Sequence, residues 1–160
     1  TYGKIFNIID FGRAIYKYKD VNICSDCYYF NEDAGTQYNF PPYYNKDKPL
    51  LYPNKSFDLC RLGCALYNYL DYDDKMTNMK LKKIINHWCE DYKGRNILYN
   101  KDGVERYEDF KLYKMIARTV NDKLPIDELK KHFGHFKVSK KNINKKNKII
   151  NIDKLEKCYI

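Results

Sequence analysis

The stretch FDLCRLGCALYNYL, residues 57–70, decides the fold. Its apolar residues Leu59, Leu62, Leu66, Tyr67 and Leu70, with Cys60 and Cys64, recur at helical spacing and cover one broad face. Ser56 stands before it as a candidate N-cap, and the pattern runs to about Tyr72. Two thiols one helical turn apart point the same way, so they are better placed to join other segments than each other. What they join decides the compartment.

Working outward, Leu81, Ile84, Ile85, Trp88 and Tyr92 repeat at i, i+3, i+4, i+7 and i+11 from a start near Thr77, and Gly94 stands after them as a C′ glycine. They are the candidate core of a second helix. A further helix is expected over Glu105–Leu124, and a short one opens at Pro125 with Asp127 and Glu128 in its first turn. Toward the N-terminus, Ile5, Ile8, Ile9, Phe11 and Ile15 suit a helix over Ile5–Tyr18. Between Asp20 and Lys55 the periodicity disappears; that stretch holds four of the five prolines and reads as a loop of about 30 residues, long for a compact domain. No segment alternates with period two. The expected fold is all-α: a disulfide-stapled bundle of four to five helices with a long Pro/Tyr-rich loop.

The six cysteines, Cys24, Cys27, Cys60, Cys64, Cys89 and Cys158, admit three readings. Three disulfides in an oxidising compartment are favoured, with Cys24 and Cys27 clamping the loop to Cys60 and Cys64, and Cys89 tying back Cys158. This is one of fifteen possible connectivities. A zinc site of Cys24, Cys27, Cys60 and Cys64 is the alternative, weakened by the mid-helix spacing of the second pair. A redox CxxC lacks the strand-then-helix context it needs.

Composition sets the bounds. The chain has 160 residues, 44% hydrophobic and 32% charged, which are globular values. Its formal charge is +9, but residues 137–160 carry eight lysines against Asp153 and Glu156, a net of +6, leaving +3 for the body. That distribution argues for a basic strap, and against nucleic acid as partner. Two regions are expected: a helical cysteine-rich part, 1–136, and the strap, 137–160, with Cys158 fastened back. No apolar run is long enough to span a bilayer, and any membrane anchor is expected outside this chain. The histidines His87, His132 and His135 lack accompanying ligands or nucleophiles, and no nucleophile elbow, phosphate loop or HExxH occurs, so no enzyme and no cofactor is expected. With 17 tyrosines in the chain, Tyr38, Tyr43, Tyr44 and Tyr52 of the loop are candidate interface residues.

The helix FDLCRLGCALYNYL together with LKKIINHWCEDYKG, with its Asn86-x-Trp88, resembles the variant surface antigens of Plasmodium malaria parasites, chiefly the PIR/VIR superfamily and the related SURFIN cysteine-rich domain. The matched part covers about Ser56 to Gly94. The resemblance implies a non-enzymatic, mostly helical ectodomain serving adhesion or immune evasion on the infected erythrocyte or merozoite surface. Its partner would be a host-cell or parasite surface protein. The alternative is an intracellular zinc-stabilised module whose basic tail binds nucleic acid or anionic membrane.

Overall fold

A computed structural model of the chain describes residues 7, 9–71 and 79–136. It divides into two compact units, Thr1–Pro125 and Ile126–Ile160. The basic strap and Cys158 lie outside the described residues.

The first unit opens with a β-hairpin. The all-α expectation is therefore corrected to a mixed α/β fold, with four α-helices and a two-stranded antiparallel sheet among the described residues. Strand β1, Ile15–Tyr18, pairs with β2, Val21–Cys24, from Ile15↔Cys24 to Tyr18↔Val21. Both strands are rich in β-branched and aromatic residues. Lys19 and Asp20 between them have φ of 45° and 65°, the primed-turn sign that matches the twist of two paired strands. Ile9 and Phe11, counted into a helical stripe, are instead exposed.

The second correction concerns sulfur. Cys24, Cys27, Cys60, Cys64 and Cys89 are free thiols, so no disulfide staples the described residues. The loop after β2 is held by hydrogen bonds. A 3-10 turn, Asp26–Tyr28, leads into a tight coil in which a Cβ on Gly35 would lie 2.4 Å from the Tyr29 carbonyl oxygen. Asn39 is the hub: its Nδ2 donates to the carbonyls of Asn45, Lys48 and Pro49 at 2.9–3.1 Å, and its Oδ1 accepts the Asn45 N–H at 2.8 Å. Its backbone pairs with Leu51. One buried amide thus shares its two N–H hydrogens among three carbonyls and accepts an N–H of the excursion, which is ordered without a covalent tie.

Helix α1 runs Ser56–Asp71, α2 Met79–Trp88, α3 Phe110–Thr119 and α4 Pro125–Phe133, with a 3-10 turn at Gly134–Phe136. The start of α1 is satisfied by Asn54, whose Oδ1 accepts the Ser56 N–H at 2.9 Å. The Ser56 hydroxyl is buried and accepts the Lys123 N–H at 3.2 Å. Helices α1 and α2 approach so closely at Gly63 that a Cβ there would lie 3.0 Å from the Trp88 Cβ. The core of this unit gathers Cys60, Cys64, Cys89, Ile97, Leu98, Leu112, Ile116 and Val120, with Phe57, Tyr67 and Met115 around them. Each large aliphatic buried there contributes about 1.5–3 kcal/mol.

Helix α2 stops at Trp88, earlier than its periodicity suggests. Ile84, Ile85 and Trp88 are buried and Leu81 half-buried, whereas Tyr92 lies beyond the helix and is 56% exposed. The chain turns because Asp91 captures the N–H groups of Lys93 and Arg95 at 2.9 and 3.0 Å, with Gly94 at φ 69°. Lys123, also buried, donates from Nζ to the Glu90 carbonyl at 2.9 Å and pairs with Asp122 at 2.8 Å. In α4, Asp127 and Glu128 near the start and Lys130, Lys131 and His132 near the end complement the helix dipole. Among the described residues, no helix is long and apolar enough to cross a membrane.

Candidate interaction site

The four candidate interface tyrosines divide. Tyr38 packs inward, with ring centroids 5.8 Å from Tyr28 and 6.1 Å from Phe57, and burial pushes its pKa up to about 12. Tyr43 is half-buried and donates its hydroxyl to Asp26 at 2.6 Å, a bond that raises its pKa to about 12. Tyr44 and Tyr52 are exposed. Tyr43 and Tyr52 each have an aromatic neighbour that composition does not reveal. Tyr29 lies 5.0 Å from Tyr43 between ring centroids and 6.5 Å from Phe30. Tyr52 lies 5.9 Å from the buried ring of Phe40.

These side chains form one surface because the loop folds back on itself. Phe30 at its start and Leu50 and Leu51 at its end line a common cleft. Phe30 and Leu50, which line it, are 46% and 52% exposed, and their chain neighbours Tyr29 and Tyr52, next to Phe30 and Leu51, are 55% and 53% exposed. Four large apolar side chains on one segment exceed the scattered single exposures that any surface shows. Their positions are fixed from beneath by Asn39 and by the Tyr38, Phe40 and Phe57 rings. The only signal for this face in the sequence is the density of tyrosine, which does not say which rings turn outward.

The loop ahead of β1 contains Asp10-Phe11-Gly12. Asp10 has φ 62°, and its Oδ1 accepts the Gly12 N–H at 3.4 Å. Aspartate tolerates that left-handed conformation better than most residues, and the bond closes a local turn. A D-F-G triplet holds magnesium in protein kinases, alongside G-x-G-x-x-G and H-R-D motifs. The 160 residues contain neither of those, so the triplet is read as a turn and no phosphotransfer role is assigned to it. Its far side is tied down: the Tyr28 hydroxyl donates to the Arg13 carbonyl at 2.8 Å, and the Arg13 guanidinium lies 4.8 Å from the Phe110 ring centroid.

The cysteines form two groups. Cys24 and Cys27 flank the end of β2; burial, then Cys27 and Asp26, push the Cys24 thiol up, and Cys27 Sγ lies 2.8 Å from the Ser25 hydroxyl. Cys60, Cys64 and Cys89 meet in the core. Hydrogen bonding to Cys64, then burial, raises the pKa of both Cys60 and Cys89. The four-thiolate set of Cys24, Cys27, Cys60 and Cys64 is not assembled: among the described residues, no group of three or more His, Cys, Asp or Glu is arranged to hold a metal ion. His87 near the end of α2 faces Glu90 just beyond it at 3.2 Å, and within α4 His132 faces Glu128 at 3.3 Å. No protein-family model, no curated protein and no solved structure matches this chain.

Proposed function

We propose that this chain is a non-enzymatic recognition module that binds a partner protein through the aromatic face of its 29–52 loop. The observation that carries the reading is that Phe30 and Leu50 stand exposed on the walls of one cleft, with Tyr29 and Tyr52 exposed beside the wall residues in sequence, on a loop already ordered by Asn39. Aromatic side chains supply most of the binding energy at protein interfaces, and a loop held in place before binding loses less entropy on contact. The likeness of residues 56–94 to the Plasmodium surface antigens suggests where such a module would work: on the infected erythrocyte or merozoite surface, against a host-cell or parasite surface protein.

A second reading differs in compartment. Five free thiols suit a reducing interior, because a partly accessible pair such as Cys24 and Cys27 is normally oxidised outside a cell. The same face would then meet a protein on the inner side of a membrane. Binding of labelled chain to intact erythrocytes and to opened erythrocyte ghosts separates the two. Retention on intact cells, lost in a Tyr29→Ser, Tyr52→Ser double variant, is expected. Retention by opened ghosts alone, with the same loss in the double variant, would move the module inside. Equal retention of the double variant and the unaltered chain would dismiss the aromatic face as the binding surface.

A further inference from the structure

The cleft at the centre of this face measures about 300 Å³ and opens between the Asn39-centred loop and α3. Its walls include Phe30, Tyr38, Leu50 and Leu51, with Lys48 and Arg118 at its polar side. The volume is at the small end for ligand sites and matches one bulky side chain.

The two cations give the cleft its chemistry. Neither Lys48 nor Arg118 has a carboxylate within ion-pair distance among the described residues. The Arg118 guanidinium donates to the Lys114 carbonyl at 2.7 Å and to the Thr36 carbonyl, both neutral acceptors. Those two bonds fix its plane and leave further N–H donors of the fork uncommitted. Arg118 is exposed as a residue, and the partial burial of its guanidinium lowers its pKa. Two positive groups beside an apolar wall do not suit a polyphosphate, which calls for a row of cations. They suit one negative charge attached to an apolar body.

We infer that this cleft receives an apolar side chain of the partner protein flanked by a carboxylate, the apolar group entering between Phe30 and Leu51 and the carboxylate meeting Arg118 and Lys48. The carboxylate is that of an acidic side chain next to the apolar residue, and a chain terminus in its place is an outcome that the test separates. The inference rests on the recognition reading and adds the chemistry of the partner.

The test is a titration of the ¹⁵N-labelled full chain with three probes: N-acetylphenylalanine, the neutral N-acetylphenylalanine amide, and acetyl-phenylalanyl-glutamate amide. Shifts at the amides of Thr36, Leu51 and Arg118 are expected, with the neutral probe about tenfold weaker than the tighter acid, the value of one charge-assisted hydrogen bond. The glutamate probe is expected to bind the tighter of the two acids, and tighter binding of N-acetylphenylalanine would overturn the acidic side chain as the source. Lys48→Glu lies on an exposed loop and should weaken both acids while sparing the neutral probe. Equal affinity for acid and amide, shifts away from the cleft, no binding of any probe, or wild-type affinity in Lys48→Glu would overturn the proposal. The recognition reading fails separately: if cell retention still depends on Tyr29 and Tyr52 while the acids do not bind, only the carboxylate chemistry is wrong.

Discussion

Asp91 is sealed from water and still charged. Burial alone would raise its pKa, but the Arg95 guanidinium at 2.8 Å and the N–H groups of Arg95 and Lys93 outweigh that and hold it below the usual carboxylate range. Arg106 adds a second, largely buried cation at 3.6 Å. With the folded pKa below the unfolded value of about 3.9, the stabilisation is complete above that pH and disappears as pH falls through the folded value. Thermal unfolding should therefore be flat from pH 7 to 5 and drop below about pH 4. Asp91→Asn should cost about 1–3 kcal/mol at pH 7 and flatten the acid limb; an unchanged limb would assign the acid sensitivity to other carboxylates. The sequence hints at this residue only through the Asp-x-x-Gly spacing of a turn. Tyr29 and Phe30 were less legible still, because an aromatic side chain has the same composition signature whether it faces the core or the solvent.

At the scale of elements, helices with their own end signals were the readable ones. Helix α1 matches the 57–70 pattern, and α4 starts at Pro125 as a proline at N1 predicts. The C-terminal end of α2 and both ends of α3 fall short of their patterns because hydrogen bonds beyond each helix stop them. Asp91 bends the chain after Trp88, and the Arg106 N–H donates to the Leu98 carbonyl at 2.7 Å instead of extending α3 backward. The hairpin was missed because Lys-Asp is an unusual pair for a primed turn. One apolar face of a helix and of two short strands also look alike over so few residues. The long loop was recognised, but its fastening was attributed to sulfur when Asn39 supplies it. Asn39→Ala removes an amide that serves three carbonyls and an N–H, and should cost about 1–3 kcal/mol. Limited proteolysis gives the sharper readout: cleavage within 43–50 should accelerate while α1 and α3 remain protected. Uniform acceleration along the chain would mean that Asn39 supports the whole unit and not the loop alone.

For the whole molecule, the thiols report on how the parts are sealed. Cys60, Cys64 and Cys89 are 0–3% exposed, whereas Cys24 and Cys27 are partly accessible at the hairpin's end. Iodoacetamide under native conditions, mapped by mass spectrometry, should modify Cys24 and Cys27 first. The core three should react only once the protein unfolds, since burial denies the reagent access. Early labelling of Cys89 would show that the seam between α1 and α2 opens readily. Composition conveyed the existence of a core and the separate basic character of residues 137–160, but the partners of each cysteine are a tertiary property that spacing does not encode.

Lys123 has a bearing on how small a working piece of this protein can be. Its single ammonium group, with its own amide, reaches the first residue of α1 and the carbonyl just past α2. A chain cut at the last residue of α3 would lose the buried Val120 and leave the Ser56 hydroxyl and the Glu90 carbonyl without their Lys123 donors. The minimal first unit thus extends past its last core helix to Lys123, and dissecting this protein by helix boundaries would remove its keystone.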